Sequence, residues 1–314
     1  MLRSKRTREP SSDSDDVNIK SSESDDIHIN IKSLYDIPSG TSSWEPEHLL
    51  ALNIEYNNVQ VIKDVITTYK DNIIDKDNPI LLNGWAKVDF LTMNCIASVV
   101  NKKVRTIIKK IRNILINEST RPARETKIDS FVQSLLSYLG FDDDPFELNP
   151  QYDYSIELNN NKRITSRVEF ITIKNDMFII LIVEDKHPLG VSELKDWSEP
   201  QIAGELLGAG FHNMQLSALD QKQIQYPMYI NAIRVVGTKF TFYKAIITRE
   251  YLAELQKCID RDNILPSVHS MIIYRHPEQP SREINMSAIL TAWDFCIPND
   301  RKQIVNALKS LVNE

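Results

Sequence analysis

One strand constrains this chain more than any other feature. Met177-Phe178-Ile179-Ile180-Leu181-Ile182-Val183 is an unbroken apolar run that ends in Glu184-Asp185-Lys186. Seven consecutive apolar residues read as a strand buried on both faces. Charge at the end of such a strand is costly to bury unless it is paired or metal-bound. Side chains alternate along a strand, so Glu184 and Lys186 project to the same face. A carboxylate and an ammonium so placed suit a divalent-metal site with a neighbouring cation.

Glu-x-Lys occurs three times, at Glu125/Lys127, Glu184/Lys186 and Glu193/Lys195, and only the second ends an apolar strand. The segment before it strengthens the reading. Residues 165–173 (TSRVEFITI) are rich in β-branched side chains, and Lys174-Asn175-Asp176-Met177 suits a tight turn. A two-residue turn at Asn175-Asp176 predicts the pairs Ile173–Phe178, Ile171–Ile180 and Glu169–Ile182. Glu169 then shares a face with Glu184 and Lys186. Diagonal neighbours on such a face lie roughly 7–8 Å apart. Two carboxylates at that separation can close on one cation with oxygen ligands at about 2.0–2.6 Å. A bulge in the turn would flip one strand, so the register carries the argument. Asp153, which opens an earlier strand, is the rival for the first acid. A plain Lys186–carboxylate salt bridge at a sheet end is the non-catalytic alternative.

The order acid, short hairpin, E-x-K resembles the PD-(D/E)XK nuclease superfamily over roughly residues 125–211. The resemblance implies a restriction-endonuclease-like core and a metal-dependent nuclease that binds Mg²⁺ or Mn²⁺. Glu169, Glu184 and the Asp185 carbonyl would hold the metal, and Lys186 would assist attack on the phosphodiester. Glu169 stands where that family usually has Asp, a departure that lengthens the arm by one methylene. The family often places an acid on the helix before the core strands, which here corresponds to Glu125. It also places a polar residue, often Gln, on the helix after E-x-K, which corresponds to Gln201. Glu125 also reads as a helix-dipole carboxylate, and Ser198 with Gln201 as a capping box. Nucleic acid is the implied partner, DNA rather than RNA. The stretches Gln201–Leu207 and Phe240–Tyr243 also look like fungal Crinkler-type nuclease-like proteins, some of them degenerate. The alternative function is therefore a catalytically inactive binding or effector protein.

Net charge is −6, which does not itself suggest a nucleic-acid binder, although a local basic surface is compatible with it. Cys95, Cys258 and Cys296 lack metal spacing and read as reduced, intracellular thiols. No apolar run approaches the roughly 18 residues of a membrane span. P-loop, nucleophile-elbow, H-E-x-x-H and C-x-x-C patterns are absent, and eight glycines leave no dinucleotide fingerprint.

Three regions are expected. Residues 1–43 read as a disordered Ser- and acid-rich tail. It holds two similar blocks, residues 11–16 (SSDSDD) and 21–26 (SSESDD), suited to acid-directed kinases. Its basic start (Arg3, Lys5, Arg6, Arg8) reads either as a nuclear-import signal or as a solvated terminus. Residues 44–119 read as helical, over 47–56, 59–69, 85–100 and 104–116. The last of these carries Lys102, Lys103, Arg105, Lys109, Lys110 and Arg112 opposite its apolar side. With Arg121 and Arg124 it is either a solvated face or a phosphate contact surface. Residues 120–314 read as an α/β core with a mixed sheet flanked by helices. The core begins with a helix at 125–139 and includes a strand at 152–158. A helix follows from 198, bearing Gln201, Glu205, Gly208 and His212 on one stripe. Strands at 228–236 and 239–247, a helix capped by Thr248 and a final helix from Asp300 complete it. His187 points away from Lys186 on an ideal strand and reads as structural.

Overall fold

The structure, a computed structural model, describes residues 31–117, 126–175, 178–186, 198–220, 223–261, 264–278 and 291–313. Glu125, Arg121, Arg124, His187, the basic start and the two Ser/acid blocks lie outside the described residues.

In chain order the elements are α1 (Pro46–Ala51), β1 (Ile54–Asn58), α2 (Ile62–Val65), α3 (Lys87–Leu91), α4 (Met93–Ser98), α5 (Lys102–Asn117), α6 (Thr126–Leu139), β2 (Phe146–Glu157), β3 (Arg163–Lys174), β4 (Phe178–Lys186), α7 (Glu199–Asp220), β5 (Met228–Val236), β6 (Lys239–Ile247), α8 (Arg249–Asp260), β7 (Met271–His276), β8 (Trp293–Asp294) and α9 (Pro298–Leu311). The strands form one mixed sheet in the order β1-β7-β6-β5-β4-β3-β2, with β8 added on β6. The β4–β5 and β1–β7 pairs are parallel and the rest antiparallel. This is the expected α/β class. One face packs on α5, α6 and α9 through Phe170, Leu181, Val183, Ile233 and Val235. The other packs on α1, α7 and α8 through Ile171, Ile182, Ile230 and Ala232. The apolar run of β4 is thus divided between two cores, which explains why it has no polar face.

The helical reading of residues 47–69 and 85–100 needs correction. Asn53 takes a left-handed φ of +54° and donates from its amide to the His269 carbonyl at 2.8 Å. That stops α1 after one turn and a half and sends residues 54–58 along β7 as an edge strand. Residues 59–69 hold only the four-residue α2, and Thr92, with extended backbone, divides α3 from α4. The first core strand begins at Phe146, not 152. The tail boundary also moves, because residues 31–43 belong to the packed body. Leu34 and Ile37 are fully buried, Lys162 donates to the carbonyls of Tyr35 and Ile37, and Thr165 N–H donates to the Ser39 carbonyl.

The β3–β4 register differs from the expected one in two compensating ways. Near the turn, Lys174 pairs with Phe178 and Ile173 with Ile179, one residue out from the predicted pairs. Asn175, at φ +55°, supplies the left-handed residue that a longer connection needs. That shift alone would turn Glu184 away from Glu169. A second irregularity restores the facing: beyond Ile179 the pairs become Thr172–Leu181, Ile171–Ile182 and Phe170–Val183. Ile179 and Ile182 therefore both face α7, three residues apart.

Asn213 of α7 holds this irregularity in place. Its Oδ1 accepts from Ile179 N–H at 2.9 Å and its Nδ2 donates to the Ile179 carbonyl at 2.8 Å, all buried. Asn213→Ala leaves both backbone groups without a partner. A loss of about 2 kcal/mol is expected, read from urea unfolding as a lower midpoint at unchanged slope.

Candidate functional site

Helix α7 is apolar on nearly every side, as a helix buried between a sheet and its neighbours must be. Its buried polar residues, Glu199, Gln201, Glu205 and Asn213, are therefore conspicuous. Gln201, Glu205, Gly208 and His212 lie along one stripe, as the spacing predicts, and that stripe faces β2, β3 and β4. Gly208 permits the close approach: a Cβ there would lie 2.5 Å from the Tyr154 ring. Tyr154 OH then donates to the Glu205 carbonyl at 2.7 Å, and the Tyr154 and His212 rings stack at 6.2 Å.

At the N-terminal end of that stripe the acids meet. Gln201 Nε2 donates to Glu184 Oε1 at 2.6 Å and to Glu205 Oε1 at 2.8 Å. Lys186 forms an ion pair with the same Glu184 Oε1. Glu184 is 1% exposed and Glu205 fully buried, whereas the Lys186 side chain keeps 18% of its surface. Burial pushes the Glu184 carboxyl up to about 7; Lys186 opposes that shift and the charge of Glu169 adds to it. Glu205 is pushed well above the usual carboxylate range, by burial first and then by the charge of Glu184. Glu169, half-buried on β3, acts on both acids. It stands where the alternation of β3 slips: Val168 and Ile171 face α7 while Phe170 faces the opposite core. The Oε2 atoms of Glu184 and Glu205 have no hydrogen-bond partner among the described residues.

These shifts have a measurable consequence. Each acid binds its proton more tightly in the folded chain than at the ordinary value of 4.5. Between pH 4.5 and 7 the folded state therefore holds more protons than the unfolded one, and stability falls as pH rises. Thermal unfolding in EDTA at pH 5, 6 and 7 should show this decline, with Glu184→Gln showing a shallower one. An equal decline in both proteins would contradict the assignment.

The sequence candidates fall as follows. Glu169, Glu184, Lys186 and Gln201 form one electrostatic cluster. Asp185 lies in β4 opposite Val235 of β5. Asp153, the rival acid, sits on the exposed edge strand β2 and pairs with Arg167 at 3.8 Å, far more exposed than Glu184. The basic helix α5 packs on the sheet face opposite α7, so its cations do not line this cluster. Several are engaged locally: Lys110 with Ser130 and Ser134, Arg105 with the Val99 carbonyl, Arg112 with the Leu91 carbonyl.

Sequence reasoning missed the support behind the cluster. Glu199, in the first turn of α7, accepts from Tyr243 OH at 3.1 Å and forms ion pairs with Arg275 at 2.5 Å and Arg234 at 3.8 Å. Tyr56 OH donates to the Glu199 carbonyl at 2.8 Å. Strands β1, β5, β6 and β7 thereby fix the start of α7 and orient Gln201 two residues on. The readable signal is Arg234 between the apolar pairs Ala232-Ile233 and Val235-Val236 of β5. In front, Ser42, Ser43, Trp44, Glu45, Ser198 and Gln201 line a cavity of about 250 Å³. Gln201 connects that opening to the buried acids.

Among the described residues, no three His, Cys, Asp or Glu side chains are placed to hold a metal ion. Lys186 takes the Oε1 of Glu184 instead. The donor chemistry nonetheless fits a hard divalent cation, because two buried carboxylates each keep an oxygen without a hydrogen bond and a third acid acts on both. Among the described residues, no helix is long and apolar enough to cross a membrane. No family model and no curated protein matches the chain.

Proposed function

We propose that this chain is a metal-dependent nuclease of the PD-(D/E)XK type, with DNA as the favoured substrate and Mg²⁺ or Mn²⁺ as the cofactor. One observation carries the reading: Glu184 and Lys186 leave the central strand beside Gln201 of the following helix, with Glu169 acting on them from the neighbouring strand. Glu169, Glu184 and the Asp185 carbonyl would hold the metal, which supplies Lewis-acid activation of a water at the scissile phosphate. Lys186 keeps part of its surface and can turn from Glu184 to a phosphate oxygen, where its charge meets the charge that develops during attack. Gln201 fixes the orientation of Glu184 and reaches the cavity through which a phosphodiester can approach. The basic residues Arg3, Lys5, Arg6 and Arg8 suit import into the nucleus, where DNA is found.

The Lys186–Glu184 pair itself favours a second reading, a nuclease-like chain that binds nucleic acid, or acts as an effector, without cutting it, as degenerate Crinkler-type domains would. Incubation of plasmid DNA and of DNA and RNA oligonucleotides with Mg²⁺ or Mn²⁺, with Glu184→Ala as control, separates the two. Metal-dependent cleavage lost in Glu184→Ala supports the nuclease. Intact substrates in both metals support the binder.

A further inference from the structure

We propose that Glu205 joins Glu184 in holding a divalent cation, with Gln201 tying the helix carboxylate to the strand carboxylate. The inference rests on the metal reading above and extends it to a residue that the E-x-K pattern does not include.

The first ground is geometric. One amide nitrogen, Gln201 Nε2, lies 2.6 Å from a Glu184 oxygen and 2.8 Å from a Glu205 oxygen, so the two carboxylates are held as neighbours from different elements. Each then retains its Oε2, buried and without a hydrogen-bond partner among the described residues. A buried carboxylate oxygen without a donor is costly to keep, and a cation satisfies two at once. The second ground is charge. Glu169 and Glu184 against Lys186 leave a single negative charge, too little to balance a divalent ion. With Glu205 ionised the cluster carries two negative charges, and a divalent cation neutralises it. The third ground is position. Glu205 is fully buried at a point where the helix could carry leucine, as it does at Leu206 and Leu207. Packing alone gives no reason for an acid there.

Isothermal titration of the full chain with Mn²⁺ at one fixed pH tests this, using wild type, Glu205→Gln and Glu169→Gln. Glu205→Gln keeps the shape and the bond to Gln201, and unfolding in EDTA checks that it is folded. It should bind Mn²⁺ at least tenfold more weakly and gain less thermal stability from saturating Mn²⁺ than wild type does. Gln201→Met cuts the tie and leaves both acids in place; a loss of about tenfold is expected there too, as for other residues that orient metal ligands. Equal affinity in wild type and Glu205→Gln, with Glu169→Gln weakened, overturns the role of Glu205 and leaves the metal site standing. A wild type that binds no Mn²⁺ overturns the metal reading and this inference together.

Discussion

Lys186→Ala should lose metal-dependent cleavage by a factor of about 10²–10⁴ while its affinity for nucleic acid falls only a few-fold. One lysine supplies about one of several phosphate contacts, so the loss in binding is modest. In the proposed reaction its charge would lie beside the reacting phosphate, where it counts most as negative charge builds up in the transition state. The ion pair with Glu184 adds a second effect. Without Lys186 the main influence opposing the upward shift of Glu184 is gone, and the carboxyl holds its proton to higher pH. The residual activity of Lys186→Ala should therefore rise with pH more steeply than that of wild type. Filter binding at fixed salt and cleavage rates across pH measure the two sides. Full activity in Lys186→Ala would defeat the assigned role even if the protein cuts DNA.

The largest effect on stability is expected far from the site. Arg301, in the first turn of α9, is fully buried and donates to four backbone carbonyls: Leu81 at 2.7 Å, Trp85 at 2.9 Å, Phe295 at 3.0 Å and Leu82 at 3.1 Å. Its guanidinium also lies over the Phe90 ring at 5.5 Å. One side chain thus fastens residues 81–85, ahead of α3, to α9. Burial pulls its pKa down to about 10, which still leaves it charged at neutral pH. Arg301→Met fills a similar volume but orphans the carbonyls of Leu81, Trp85 and Phe295, whereas the Leu82 carbonyl keeps the Trp85 N–H at 2.9 Å. It should cost about 3 kcal/mol, since each buried acceptor left unpaired costs on the order of 1 kcal/mol or more. A clearly lower urea midpoint is the expected result. A loss under about 1 kcal/mol would mean that the carbonyls find other donors.

Much of this architecture could be read from the chain because local pattern and burial agree. The β4 run, the α7 stripe and the bounds of β5 and β6 follow from periodicity and turn residues, and Thr248 caps α8 as expected, accepting from Tyr251 N–H at 3.1 Å. The facing of Glu169 and Glu184 was anticipated on the wrong register. One shift at the turn and another at Ile179 cancel, and neither has a pattern that sequence periodicity registers, because the deciding contact comes from Asn213, 34 residues away. The misread helices near residue 54 and the unanticipated β7 share one cause. Strands of five or six residues, such as β1 and β7, hold too few alternations to outweigh chance helical spacing. The packing of residues 31–43 was hidden for a related reason. Their composition is polar, yet Leu34, Ile37 and Trp44 suffice to anchor them against α7 and β3. Glu205 was visible on the helical wheel, but its bond to Gln201 and its closeness to Glu184 depend on how deeply α7 sits on the sheet. The glycine at 208 sets that depth.

The most direct measurement of the site is plasmid cleavage in Mn²⁺ by wild type, Glu169→Ala, Glu184→Ala and Asp153→Ala, prepared and assayed side by side with EDTA controls. Glu169 and Glu184 belong to the buried cluster and Asp153 to the exposed edge. Wild type and Asp153→Ala should cleave at comparable rates, and Glu169→Ala and Glu184→Ala should fall by about 10² or more. An inactive wild type, or an active Glu169→Ala beside an inactive Asp153→Ala, would contradict the site described above.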